Sequence, residues 1–187
     1  MGKRIVQQAR GHGSHTYRVR KKAFKHRIKY PKKLEKEGTV IRLLDSGGHS
    51  APLAKVKYEN EIFFIPAFNE MVEGQKINFE SSEIKSGNIM KLKDIPLKTQ
   101  IYCIESKPGD GGIFIKTAGS SATVNKIVEE SHFVLMPSKK EKKFHKNCRA
   151  IIGVIAGAGR LEKPVVKAGK KFHIKKAKSK LWPRTSA

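Results

Sequence analysis

The feature that most constrains this chain is the uneven distribution of its charge. The formal net charge is +24, yet residues 37–138 hold 11 basic and 13 acidic residues and are close to neutral. Residues 1–36 hold 13 Lys and Arg against 1 Glu, and residues 139–187 hold 16 against 2. Such basic ends cannot bury enough apolar surface to fold alone. The sequence therefore predicts a folded middle with two basic arms, and the charge requires an anionic partner.

The arms carry glycines and aromatic residues among the cations, as at Tyr17 and Trp182. Aromatic rings and guanidinium planes can stack on unpaired bases while Lys and Arg neutralise phosphates. A membrane-binding arm would show an apolar face at helical spacing, which residues 3–36 do not have. There is also no apolar run near ~20 residues and no apolar N-terminal signal. These observations favour nucleic acid over membrane as the partner.

The cysteine and histidine content indicates neither a disulfide framework nor a metal site. Cys103 and Cys148 are far apart in the sequence, which favours a reducing, intracellular location. With His132 and His145 they could supply four zinc ligands, but no C-x-x-C pair is present. We therefore expect no metal and interpret the cysteines as small apolar core residues.

The middle of the chain is typical of a small β barrel. Short apolar or alternating segments are separated by turn residues, and the turn at Glu59-Asn60 predicts a hairpin. The strands predicted before residue 106 are 39–44, 53–58, 62–65, 75–79, 88–92 and 101–105.

The strongest turn signal is Lys107-Pro108-Gly109-Asp110-Gly111-Gly112, in which Asp110 can cap its own backbone. We place a domain boundary there. A second barrel is predicted from the strands that follow it, and after Gly157 we expect an extended tail with at most a short helix over 175–181. The strands of the second barrel are predicted at 113–118, 122–128, 133–136 and 150–156.

Two glycine-rich segments invite a nucleotide-binding interpretation and do not support it. In residues 151–160 the third glycine of a dinucleotide fingerprint would fall at Glu162, and no helix pattern follows. The turn at 109–112 lacks the phosphate-loop pattern. Since no catalytic set stands out either, we expect no cofactor and no enzyme. Flanking cations favour RNA contact, with Gly157 and Gly159 allowing close backbone approach.

Several consecutive stretches together resemble the universal large-subunit ribosomal protein two family in its archaeal and eukaryotic branch. They are Gly11-His12-Gly13-Ser14, residues 107–112, Asn147-Cys148-Arg149-Ala150-Ile151-Ile152-Gly153, residues 156–160, Glu162-Lys163-Pro164, Lys167-Ala168-Gly169-Lys170 and Trp182-Pro183-Arg184. The resemblance implies an all-β protein in which an OB-fold-type barrel precedes an SH3-like barrel. It also implies docking on large-subunit ribosomal RNA beside neighbouring ribosomal proteins, contact with the small subunit, and support for subunit association and the peptidyl-transferase region without catalysis.

The resulting domain prediction has four parts: a basic RNA-binding arm at 1–36, an OB-fold-like barrel at 37–106, an SH3-like barrel at 107–156 and a basic RNA-binding tail at 157–187. Members of the resembled family continue past the Trp-Pro-Arg motif into a Gly- and His-rich extension. This sequence ends at Ala187. Any role of a histidine in that extension is therefore assigned to no residue of this chain.

The candidate RNA-binding residues are the cations, glycines and aromatic residues of the two arms and of the segment leading into the tail. They are Lys3, Arg4, Arg10, Gly11, His12, Gly13, Tyr17, Arg18, Arg20, Lys21, Lys22, Phe24, His26, Arg27, Arg149, Gly157, Gly159, Arg160, Lys163, Lys167, Lys170, Lys171, Phe172, His173, Lys175, Lys178, Trp182 and Arg184.

Two alternatives stay open at this stage. A free-standing RNA-binding or translation-factor-like module would also be basic, although it would need only one basic face rather than two long arms. Trp182 could pack against the barrels, since Tyr and Trp rings are often part of a core, instead of stacking on a base. For the ribosomal interpretation we expect a cytoplasmic location.

Overall fold

The computed structural model describes residues 8, 10–15, 17–79 and 83–183. Within these residues the chain forms ten β strands and a C-terminal α helix, α1 (Ala168–Ala177), with short 3₁₀ turns at Arg10–His12, Leu92–Asp94 and Ala158–Leu161. The predicted all-β class is confirmed. The strands are β1 (Glu37–Leu44), β2 (Leu53–Tyr58), β3 (Glu61–Pro66), β4 (Lys76–Asn78), β5 (Ile89–Lys91), β6 (Gln100–Tyr102), β7 (Ala122–Val128), β8 (Ser131–Leu135), β9 (Glu141–His145) and β10 (Arg149–Ile152).

The first sheet is antiparallel and has the order β3-β2-β1-β4. The predicted hairpin is present, since Tyr58 pairs with Glu61 across the turn. Alternate residues of β1 face inward, and Gly38 is one of them. A Cβ at Gly38 would lie 2.7 Å from the Phe79 ring. The missing side chain therefore lets β1 pack directly on that ring.

The second sheet has the order β5-β10-β6-β7-β8-β9. It differs from the sequence prediction, which grouped β5 and β6 with the first barrel. Both strands pair with β10, so they belong to the second sheet, and the change of sheet falls between Phe79 and Ile89. The reason is that strand partners are chosen by long-range pairing, whereas a strong turn signal reports only local geometry. Residues 113–118 contribute an isolated bridge, Ile104 to Phe114, rather than a strand.

The two sheets share one hydrophobic core. Tyr102, Ile151 and Ile155 of the second half of the chain are fully buried in the same cluster as Val40 and Ile65 of the first sheet. The Tyr102 hydroxyl donates a hydrogen bond of 3.1 Å to the Pro66 carbonyl, which links β6 to β3. A second cluster lies within the second sheet and includes Leu92, Val124, Val134 and Phe144.

The predicted N-terminal arm is not a free arm along its whole length. Ile28, Tyr30 and Leu34 are buried in the shared core. Ile28 and Lys29 form bridges with Phe64 of β3, which is an edge strand of the first sheet. The expectation that the whole arm needs a partner to become ordered is therefore wrong for this stretch. Its few apolar side chains are spaced so that they reach the core while the chain covers a sheet edge.

The predicted extended tail contains α1, which begins at Ala168. The helix predicted over 175–181 overlaps it only at its C-terminal end. Lys and Ala are good helix formers, so the segment has helical propensity despite its charge. No residue of α1 is buried. The helix therefore presents its cations to the surroundings rather than to the protein core.

Candidate nucleic-acid interface

The described part of residues 1–36, called the N-terminal segment below, is held at Tyr30 by a buried set of polar contacts. The Tyr30 hydroxyl lies within hydrogen-bond distance of the carbonyl oxygens of Cys103 (3.1 Å) and Arg149 (3.0 Å), which share its one proton. Its backbone N–H donates to the Gly111 carbonyl at 3.2 Å. Burial, followed by the neighbouring Cys103 and Glu105, raises the pKa of Tyr30 well above its usual value of 10.0. The hydroxyl therefore remains a donor, and it anchors the N-terminal segment to the folded body.

Arg149 lies beside Tyr30 in an ion pair with Glu105, and its prediction as an RNA-binding residue is corrected here. Its Nη2 is 2.8 Å from Glu105 Oε1, and the two side chains are 8% and 0% exposed. Its guanidinium carbon is 5.0 Å from the centre of the Tyr30 ring. A buried cation must be paired inside the protein because its desolvation is costly. Arg149 is therefore held within the fold by Glu105 and is not available to a phosphate.

The turn at 107–112 is shaped by two carboxylates. Asp110 accepts hydrogen bonds from the backbone N–H groups of Ser106 (2.8 Å) and Lys107 (3.0 Å), as its capping role predicted. Glu105 Oε1 accepts from the N–H groups of Gly109 (3.2 Å) and Gly111 (3.1 Å). These bonds hold the turn in the conformation against which the N-terminal segment packs, with the Tyr30 N–H bonded to the Gly111 carbonyl. Like Arg149, Glu105 is fully used by contacts within the protein.

The basic residues of the C-terminal tail are arranged along α1 and the segment before it. Lys163, Lys167 and Lys170 are exposed, as are the apolar Val166 and Phe172. The first turn of the helix contains no acidic residue. Because the helix buries none of its residues, its cations can reach an anionic partner directly.

The two basic ends meet and enclose a cleft of about 520 Å³ between the N-terminal segment and α1. We call this the interarm cleft. The backbone N–H of Arg20 donates a 3.1 Å hydrogen bond to Ser179 Oγ and joins its two sides. Rings and cations line it together, since Lys176 Nζ lies 5.3 Å from the centre of the Phe172 ring and both side chains belong to its walls. Its walls include Tyr17, Arg18, Arg20, Phe172, Lys176, Lys180 and Trp182.

Cations crowd the place where the tail meets the first sheet. The pKa of Lys178 is lowered from 10.5 by burial and then by Arg160, Lys180 and Lys175. The pKa of His49 is lowered from 6.5 by burial and then by Lys116, His26 and Lys178. Every cause named after burial is a basic side chain. An anion bound here would relieve the repulsion, which is the electrostatic condition for holding a phosphate.

The glycine-rich segment after β10 forms a turn against residues 118–119, which lie just before β7. Gly157 has φ +84°, which favours glycine, and a Cβ there would lie 3.4 Å from Ala118 Cβ. A Cβ at Gly119 would lie 2.6 Å from Ala158 Cα. The small residues are therefore explained by close packing within the protein, while Gly157, Gly159 and Arg160 remain exposed.

Most of the predicted RNA-binding residues lie on the surface. Tyr17, His26, Lys175, Lys178 and Trp182 are half-buried. Lys3, Arg4 and Arg184 lie outside the described residues, and only the backbone of Arg10 is described here, in a 3₁₀ turn. The exposed residues are Gly11, His12, Gly13, Arg18, Arg20, Lys21, Lys22, Phe24, Arg27, Gly157, Gly159, Arg160, Lys163, Lys167, Lys170, Lys171, Phe172 and His173.

Two predicted aromatic groups of the N-terminal segment are already engaged by the first sheet. The Phe24 ring meets His49 edge-on at 5.1 Å between centres, and it is 46% exposed. The ring of His26 lies 4.4 Å from that of Phe64. Both rings therefore help to dock the segment, whatever they contact beyond the protein.

Sequence reasoning missed three residues that shape the candidate interface. Ser179 joins the two ends, and Lys176 and Lys180 line the interarm cleft. Both lysines belong to the same run of basic residues as the candidates Lys175 and Lys178. The run as a whole therefore indicated them. Ser179 carried none, because its partner Arg20 is 159 residues away in the sequence.

Neither a metal centre nor a membrane span is found among the described residues. No group of three or more His, Cys, Asp or Glu side chains in that part of the chain could hold a metal ion. Cys103 is fully buried, and burial raises its pKa to about 12, so its thiol stays protonated. None of the helices described is long and apolar enough to cross a membrane.

Comparison with known proteins decides the family. A family model described as "Ribosomal Proteins L2, C-terminal domain" matches residues 85–187, more than half of the chain. The chain belongs to this family. Its first matched residue lies close to the point where the second sheet begins. The prediction of a ribosomal rather than an enzymatic protein is thereby confirmed.

Curated relatives extend the likeness to the whole chain. A protein of Archaeoglobus fulgidus named "Large ribosomal subunit protein uL2" is 43% identical over 98% of this chain and 79% of its own length. Proteins of the same name from Methanococcoides burtonii and Methanococcus aeolicus are 41% and 40% identical over 100% and 98% of this chain. They are covered over 81% and 80% of their own length. This archaeal likeness confirms the resemblance noted from the sequence motifs.

Proposed function

We propose that this chain is a structural constituent of the large ribosomal subunit and binds large-subunit ribosomal RNA through its two basic ends. The observation that carries the proposal is the way those ends meet. They enclose a cleft lined by rings and cations, while the neutral middle forms the folded body. Family membership and the names of the relatives support the same assignment and the cytoplasmic, ribosomal location.

The RNA-facing parts are, in this proposal, the N-terminal segment before its docked stretch and the tail from Gly157 onward. The exposed cations of both parts neutralise phosphates, and neighbouring rings contact bases. Arg149 is left out because it is buried in its ion pair with Glu105. Lys3, Arg4, Arg10 and Arg184 stay in the proposal on their charge and position in the sequence alone.

We assign the near-neutral middle to contacts with proteins rather than with RNA. Its exposed surface is the part available to neighbouring ribosomal proteins, and contact with the small subunit during subunit association belongs to the same assignment. The chain supports the peptidyl-transferase region by positioning RNA and contributes no reacting group. Phosphate neutralisation dominates the affinity of such a protein for RNA.

Sedimentation of the tagged chain from a cell lysate through a sucrose gradient, after a moderate-salt wash, tests the proposal. The expected result is retention with the large subunit and its RNA. Recovery mainly in the light fractions would overturn it and favour a module that visits RNA transiently.

A charge comparison tests which region provides the affinity. In one variant Lys163, Lys167 and Lys170 become Gln, and in the matched control the exposed Lys57, Lys93 and Lys98 of the middle become Gln. The slope of log affinity for ribosomal RNA against log salt should fall by roughly 2 to 3 in the tail variant. The control should keep the original slope. Equal slopes in both variants would contradict the assignment of phosphate contacts to the tail.

A further inference from the structure

Aromatic rings from both ends of the chain form part of the walls of the interarm cleft. Tyr17 comes from the N-terminal segment, whereas Phe172 and Trp182 come from α1 and the residues after it. A volume of about 520 Å³ is within the usual range for sites that hold a small ligand. A surface that bound only the outside of a duplex would need cations and shape rather than rings.

Each ring of the tail is paired with its own cation. Lys171 Nζ lies 5.2 Å from the centre of the Trp182 ring, and Lys176 Nζ lies 5.3 Å from that of Phe172. Of these two cations, Lys176 lines the cleft, so a base that stacks on the Phe172 ring there brings its adjoining phosphate close to the Lys176 ammonium group. Stacking and phosphate neutralisation together are the mode by which proteins hold single-stranded nucleic acid.

The cleft requires both ends of the chain. The Arg20 N–H to Ser179 Oγ hydrogen bond of 3.1 Å holds the two sides together. Arg18 and Arg20 contribute cations from one side, and Lys180 contributes one from the other. Neither segment alone encloses the volume. The docking of the N-terminal segment through Tyr30 is what brings its basic part to the tail.

We propose that the interarm cleft binds an unpaired nucleobase of RNA, which stacks on Phe172 and Trp182 while the flanking phosphates are held by Arg18, Arg20, Lys176 and Lys180. This rests on the proposed RNA-binding function and specifies its ligand as single-stranded RNA at this site. An acidic peptide would satisfy the cations but would leave the rings without a stacking partner, so RNA is the favoured occupant.

The chain carries a built-in reporter for this proposal, since Trp182 is its one tryptophan. The full-length chain is titrated with a short oligoadenylate, and binding is followed by Trp182 fluorescence. Parallel titrations use an abasic ribose-phosphate chain of the same length, an RNA duplex and polyglutamate. We expect quenching by the oligoadenylate and much weaker quenching by the three others. Equal quenching by the abasic chain, the duplex or polyglutamate would overturn the proposal.

A matched pair of variants separates stacking from general RNA affinity. Phe172→Leu keeps an apolar side chain but removes the π face, and Phe133→Leu is the control. Phe133 lies on β8, with Lys126 Nζ 5.8 Å from its ring centre, so both positions carry a ring with a nearby lysine. Phe172→Leu should weaken oligoadenylate binding by about fivefold or more, whereas Phe133→Leu should leave it unchanged. Equal affinities of the two variants would also overturn the proposal.

Failure of base binding in the cleft can be distinguished from failure of the ribosomal function. If the chain is retained with the large subunit but binds the oligoadenylate and the abasic chain alike, the cleft is not a base-binding site and the ribosomal function stands. If the chain neither sediments with the large subunit nor binds any of these RNAs, both proposals are wrong.

Discussion

The two basic ends of this chain have similar compositions and different structural roles. From Ala23 to Leu34 the N-terminal segment places four apolar side chains in the protein interior, including the fully buried Tyr30. The tail from Ala158 to Ala177 buries none of its helical residues, and its Val166 is 84% exposed. Net charge alone does not distinguish the two. The spacing of a few apolar residues decides whether a basic segment docks or stays on the surface.

The comparison also separates two uses of a positive charge. Arg149 is neutralised inside the protein by Glu105, whereas Lys178 is surrounded by other cations that lower its pKa. The charge of Arg149 is thus satisfied within the protein without any binding partner. The repulsion among the cations around Lys178 would be reduced by a bound anion.

The largest effect is expected from Glu105→Gln, which leaves the Arg149 guanidinium buried without a counter-charge. The free energy of unfolding should fall by about 3 to 5 kcal/mol, as measured by urea denaturation. Glu37→Gln is the control, because Glu37 pairs with Lys76 at 2.7 Å on the surface. That change should cost at most about 1 kcal/mol. Similar losses in the two variants would show that the docked region does not depend on this ion pair.

Gly111→Ala should disrupt the docking of the N-terminal segment. A Cβ at Gly111 would lie 2.3 Å from Lys29 Cγ and 2.7 Å from the Tyr30 carbonyl oxygen. Gly109→Ala is the matched control, since both glycines have φ near +85° and Gly109 has only Lys32 Cγ nearby, at 3.9 Å. Backbone strain is common to both variants. Thermal and urea unfolding should therefore show an additional loss of about 1 to 3 kcal/mol for Gly111→Ala; equal losses would argue against the close docking.

A direct test removes one aromatic feature from each end and measures stability. Tyr30→Phe deletes the hydroxyl whose proton is shared by the Cys103 and Arg149 carbonyls and should cost about 1 kcal/mol. Phe172→Leu should change stability by no more than about 0.5 kcal/mol because its helix buries none of its residues. A larger loss for Phe172→Leu than for Tyr30→Phe would reverse the comparison between the two ends.

The smallest effect is a change in the pKa of His49 on removal of one tail cation. Lys178→Ala should raise that pKa toward 6.5, because Lys178 is one of the groups that lower it. Two-dimensional NMR of the His49 ring measures the change, and Lys163→Ala is the control. An unchanged His49 pKa in Lys178→Ala would mean that the tail does not lie against the first sheet.

The sign of the accompanying stability change follows from the lowered pKa. The folded state binds the His49 proton less tightly than the unfolded state does, so its stabilising contribution is present above about pH 6.5. This contribution is lost as the pH falls toward the lowered folded-state value, and Lys178→Ala should reduce that loss. Burial also lowers the pKa of His132, whose ring nitrogens are buried without a hydrogen-bond partner. Acid unfolding therefore reports on both histidines, and NMR is needed to separate them.

Much of the local structure was predictable because short-range patterns encode it. The segment 53–58 was predicted as a strand, and β2 has the same bounds. Asp110 was expected to cap the turn at 107–112, and it does. In contrast, β9 was missed because Glu141–His145 is mostly charged and buries only Phe144. With only one of its five residues buried, β9 shows no alternation of apolar and polar residues from which a strand could be predicted.

The sequence by itself determined the all-β class, the neutral folded middle, the two basic ends and the ribosomal family, since composition, alternation and motifs are read along the chain. Only the tertiary structure decided that β5 and β6 pair with β10, that Arg149 is buried against Glu105, and that Arg20 meets Ser179. These contacts join residues distant in sequence, and their free energy depends on burial and geometry that no local pattern carries.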